Sequence, residues 1–64
     1  MGNETEKNYF RCFNTPAGIQ VLKHLREITI ERFFGPNATE AELRTLEGQR
    51  TLVHQIENLI ERGK

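Results

Sequence analysis

The sequence predicts an all-α fold: an antiparallel helical hairpin with a short N-terminal aromatic helix folded over it. Three observations carry that prediction. Thr39-Glu40-Ala41-Glu42 has the form of a capping box, and the proline-free stretch from Leu43 to Ile60 behind it repeats apolar residues at helical spacing. Thr15-Pro16 marks an earlier helix start. Phe33-Phe34-Gly35-Pro36-Asn37 then separates the two helices with residues that stop one and turn the chain.

Residues 1–8 are polar and offer nothing to pack, so they read as a mobile N-terminal tail. Residues 9–62 read as a single helical domain. Tyr9, Phe10 and Phe13 arrive together, and one helical turn places Phe10 and Phe13 on one face with Tyr9 and Cys12 beside them. These rings either close off a small core or dock on another chain.

Thr15 precedes proline and is pushed toward extended backbone, which suits an N-cap. Pro16 suits the first helical position because it needs no donor there. The first long helix is expected from Ala17 to about Phe33, with Val21, Leu22, Leu25, Ile28 and Phe33 as its buried stripe. Gly18, in its first turn, would let a neighbouring segment come close. One of the paired rings Phe33 and Phe34 can turn inward, and the other, Phe34, must face a loop, solvent or a partner.

The second long helix is expected over residues 40–61, with Leu43, Leu46, Val53, Ile56 and Ile60 inward and Leu52 and Leu59 at the edge. Glu40, Glu42 and Glu47 crowd its first half while Arg62 and Lys64 follow its end, matching the helix dipole. Gly63 supplies the stop. Gly48 and Arg50 break the pattern in the middle. A mid-helix glycine costs roughly 1 kcal/mol relative to alanine, so Gly48 implies close approach by the first helix or by another subunit. Arg50 falls where an apolar residue is expected. Its stem covers the core while its head reaches water, or it pairs with Glu47 or a partner's carboxylate and sets register or partner choice.

Composition excludes several function classes. A chain of 64 residues is one domain with a marginal core of its own. Cys12 is the only cysteine, so no internal disulfide forms, and a lone thiol fits a reducing compartment. Nine Lys and Arg balance nine Glu, and a neutral chain lacks the positive field that nucleic acid requires. The acidic start of the second long helix also argues against a helix-turn-helix. No apolar run suggests a membrane span, and the N-terminus lacks the form of a signal peptide. His24 and His54 stand on different helices with too few companions for a metal. The glutamates are strung along exposed faces, with no pair set for acid–base work. No enzyme, cofactor or metal is expected.

Phe10, Phe13, Asn14-Thr15-Pro16, Gly18, Val21-Leu22 and Leu25, followed by Glu47-Gly48-Gln49-Arg50 and Leu52-Val53, resemble a small domain family of tailed bacteriophages named after a Bordetella podovirus protein. The shared pattern is an aromatic pair at i, i+3, a Thr-Pro-x-Gly turn, a Val-Leu-x-x-Leu helix, a variable loop and Glu-Gly-x-Arg within a second helix. It spans about residues 9 to 60, and divergence is expected in the loop Phe33–Ala38. The resemblance implies a small phage protein encoded near structural genes, with Gly18, Gly48 and Arg50 as family features. The expected function is non-enzymatic protein–protein contact, virion-associated or assembly-related, with self-association through helix faces into a homo-oligomer. The alternative is an effector that binds and inhibits a host enzyme. The expected location is host cytoplasm, virion or both. Tyr9, Phe10, Phe34, Gly48 and Arg50 are the candidate partner contacts, whether that partner is self, a virion component or a host protein.

Overall fold

The computed structural model describes residues 2–31 and 35–64. They form α1 (Glu4–Phe13), α2 (Pro16–Thr29) and α3 (Glu40–Arg62), with no strand among the described residues. Phe33 and Phe34 lie outside the described residues. So an all-α fold is observed, and α2 and α3 run antiparallel: Arg26 meets Glu57 while Thr29, further along α2, meets Arg50.

Helix α1 reaches well into the segment read as a mobile tail over residues 1–8. The cause is local. Asn3 Oδ1 accepts from the Glu6 N–H at 2.8 Å, and Glu6 Oε1 accepts from the Asn3 N–H at 2.9 Å. This reciprocal pair is a complete capping box, with Glu4 and Glu6 in the first turn to meet the helix dipole. The Glu6 carboxylate also lies 3.8 Å from Arg62 Nη1, which ties the start of α1 to the end of α3. At the other end of α1, the Thr15 hydroxyl donates to the Cys12 carbonyl and accepts from the Gly18 N–H. One side chain thus closes α1 and opens α2.

Helix α2 is shorter than expected. It stops at Thr29, four residues before Phe33. The Thr29 hydroxyl donates back to the Leu25 carbonyl, and the N–H groups of both Ile30 and Glu31 converge on the Arg26 carbonyl. That widened last turn breaks the regular ladder. At the head of α3, the Glu42 N–H donates to Thr39 Oγ1 at 3.1 Å. The return bond differs from the expected box, because Glu42 Oε1 accepts from the Thr39 hydroxyl and not from its N–H.

The helices form an elongated, thin arrangement whose Cα atoms measure 43 × 22 × 11 Å along the principal axes. Its radius of gyration is 13.9 Å, against about 11 Å for a compact domain of this length. So thin an arrangement cannot enclose much. Leu46 and Val53, each 3% exposed, are the buried apolar side chains, joined by Thr29. Leu22, Leu25, Ile56 and Ile60 are half-buried, as are Phe10 and Phe13. Val21, Ile28 and Leu43, all expected in the core, are exposed. Each sits on the flank of its helix's stripe, and no second layer covers that flank.

Two glycines set how closely α1 docks. Gly63 has ordinary right-handed backbone angles (φ −84°, ψ −5°), so its turn alone does not require glycine. Space does: a methyl group there would sit 2.7 Å from the Glu6 carbonyl carbon and 2.9 Å from Phe10 Cβ. A methyl group on Gly18 would press on the Cys12 carbonyl oxygen and lie 2.7 Å from Phe13 Cα. Gly63→Ala is therefore expected to destabilise the chain by about 1–3 kcal/mol, because the obstacle is largely backbone and cannot repack. Asn3→Ala should cost about 1 kcal/mol through loss of the cap. Chemical unfolding followed by far-UV circular dichroism checks both, and a neutral Gly63→Ala would mean that α1 docks less closely.

Candidate functional site

The described residues present surfaces more than pockets. An apolar groove runs between α2 and α3, lined by Leu25, Ile28, Leu52, Val53 and Ile56, with Thr29 and Gln49 beside them. Ile28 is 43% exposed and Leu52 57% exposed. At about 100° per residue, Leu52 and Ile56 flank Val53 on one side of α3, while Arg50, His54 and Glu57 flank it on the other. One side of the α2–α3 pair is therefore apolar and the other charged.

The charged side is closed by internal pairing. Arg26 Nη1 donates to Glu57 Oε2, and Arg26 Nε lies 3.9 Å from Glu31. His54 Nδ1 lies 3.4 Å from the other Glu57 oxygen. Arg50 joins this side. Its Nε donates to the Thr29 carbonyl at 3.0 Å, and its Nη1 donates to Glu47 Oε1 at 3.3 Å. A continuing α2 would offer the Thr29 carbonyl to an N–H four residues on, so the guanidinium caps the end of one helix from the middle of another. The Arg50 head is thus paired with Thr29 and Glu47 of its own chain.

The other candidate contacts fall in different places. Phe10 turns toward the end of α3, against Gly63. Tyr9 stacks on Phe13, with ring centroids 6.4 Å apart and planes 14° from parallel. With Thr5, Asn8 and Cys12 these two rings line a shallow concavity along α1. Gly48 is exposed, and a methyl group on it would meet nothing among the described residues. No close approach by α1 or α2 explains it. Phe34 lies outside the described residues. The four described candidates do not form one cluster: Tyr9 and Phe10 lie on α1, while Gly48 and Arg50 face different sides of α3. What the sequence reading missed is the exposed pair Ile28 and Leu52 across the groove. The signal was present in Leu52, which periodicity placed at the edge of its stripe.

Among the described residues, no three His, Cys, Asp or Glu side chains cluster as a metal site, and no helix is long and apolar enough to cross a membrane.

Replacing Arg50 by alanine should destabilise the fold by about 1–2 kcal/mol, since a charged donor to a helix-end carbonyl is lost. Arg50→Lys should recover only part of this, because a compact ammonium cannot span both acceptors. Glu47→Gln, at a 70% exposed side chain, should change stability by less than about 0.5 kcal/mol. Thermal unfolding of the three variants tests this ranking, and an Arg50→Ala chain as stable as the parent would refute the cap.

Comparison with curated proteins finds no match, and comparison with solved structures finds none. A family model described as Bbp19-like phage protein matches residues 9–61. That span begins at the Tyr9 of α1, takes in the Thr15 cap, Gly18 and the Glu47–Arg50 segment, and ends within the last turn of α3. The chain belongs to the Bbp19-like phage protein family.

Proposed function

We propose that this phage protein works by protein–protein contact and without enzymatic chemistry, as a virion-associated or assembly component. The observation that carries this reading is the placement of its apolar side chains. Ile19, Val21, Ile28, Leu43 and Leu52 are all between 43% and 57% exposed, whereas among the described residues only Leu46 and Val53 are buried apolar side chains. A helical layer that leaves so much apolar surface outside gains by associating with another protein. The balanced charge agrees, since nine cations and nine carboxylates make no field for steering onto nucleic acid. The sites of action are the host cytoplasm during assembly and the particle itself.

Mass spectrometry of purified particles tests the reading, with the chain expected at a defined copy number relative to the capsid proteins. A tagged chain used on host lysate supplies the contrast. Stoichiometric capture of a host enzyme, together with absence from particles, would replace the virion role with that of an effector. Absence from particles, from assembly intermediates and from any stable protein complex would overturn action by contact.

A further inference from the structure

We infer that the apolar side of the α2–α3 pair binds a second copy of this chain, with Gly48 and Leu52 of the two α3 helices crossing near the two-fold axis. The inference rests on action by protein contact and names the surface and the occupant.

Area is the first argument. The chain exposes 4948 Å², whereas a compact chain of its mass would expose about 4,200 Å². The excess, roughly 700 Å², is spread over the whole elongated chain, and a second copy laid on the apolar side would remove part of it from water, up to the ~800 Å² that each partner contributes to a stable interface. A second layer of the same shape, laid over one face, would give the flat molecule the thickness of an ordinary helical domain.

Gly48 is the second. It stands one turn before Leu52 on the same side of α3. Within its own chain the glycine has only its helix cost, because the space beside it is open among the described residues. Contrast Gly18 and Gly63, whose missing side chains are filled by backbone of α1. A missing side chain beside the exposed Leu52, with Arg44, Thr45 and Thr51 around it, leaves room for another helix to approach as closely as α1 approaches those two.

Charge selects the occupant. A two-fold contact sets a surface against itself, so a patch of one sign would repel its own copy. The groove is lined by apolar residues with only Thr29 and Gln49 polar, and contains no charge. The paired charges Arg26–Glu57 and Arg50–Glu47 lie on the opposite side. The groove itself presents no cation to a phosphate-bearing partner or an anionic lipid surface, and Arg44, exposed one turn before Gly48, pairs with Glu40 at 3.3 Å. A neutral apolar face meets its own copy without cost in charge.

Sedimentation of the full chain from micromolar to millimolar concentration tests this, using Leu52→Glu, Gly48→Ala and, on the other side of α3, Leu43→Glu. The parent chain should dimerise, and Leu52→Glu should weaken the dimer by about a hundredfold while leaving the helical circular dichroism unchanged. Gly48→Ala should act in opposite directions. It should raise the melting temperature of the dilute monomer by about 5 °C and weaken the dimer by at least about tenfold. Leu43→Glu should leave association intact. A parent chain that stays monomeric throughout would overturn the second copy, as would a dimer lost in Leu43→Glu but kept in Leu52→Glu. A Gly48→Ala chain that both melts higher and dimerises more tightly would overturn the close crossing. None of these results bears on detection in particles, so failure of the dimer and failure of the virion role are separate observations.

Discussion

The layer depends on α1 being latched at both of its ends by backbone contact at glycine. Its first turn lies on Gly63 at the end of α3, and its last turn lies on Gly18 at the start of α2. Polar groups reinforce each latch: Glu6 with Arg62 at one end, and the Thr15 hydroxyl between Cys12 and Gly18 at the other. These contacts hold α1 beside α3, where its interhelical contact is most extensive. Without them, Phe10 and Phe13 would lose their neighbours, and the buried centre of α3 would carry the fold with α2 alone. Because the latches are backbone contacts, they fix distance more sharply than flexible side chains would.

That arrangement also explains why so much apolar surface remains outside. Three helices can cover one another's inner edges, but in so thin an arrangement much of each outer flank stays open. On one flank of α2 and α3 the chain answers this with charge, using Arg26, Glu57, Arg50 and Glu47 to pair across and along the helices. On the other it does not, and Ile28 and Leu52 remain at the surface. Paired charge dominates one side and the apolar groove the other, although Leu43 stays exposed on the charged side of α3.

Much of this was legible in the residues. Pro16 at the first helical position and Thr39 as a cap are local signals, needing no knowledge of the third dimension, and both begin helices as read. Asn3 and Glu6 carry the same kind of signal, yet apolar periodicity starts only at Tyr9, so a search led by periodicity passes over it. The stop of α2 at Thr29 was not legible, because it depends on an arginine 21 residues further along the chain. Nor was the exposure of Val21, Ile28 and Leu43. Periodicity finds the stripe of a helix, but the number of layers above it decides which edge of the stripe is covered.

Both flanks of α3 meet in the Glu-Gly-x-Arg segment. Its glycine and arginine are two residues apart, which on a helix turns them about 200° from each other. Arg50 therefore points to the paired side, where with Glu47 it holds the end of α2. Gly48 is turned away from that side, into open space beside Leu52. A single short motif thus serves both flanks of α3. If only the internal clip mattered, Glu47 and Arg50 would suffice, and alanine at the position between them would make a firmer helix. The clip accounts for two of the three residues, and the glycine is left to be accounted for by whatever lies against the outer face.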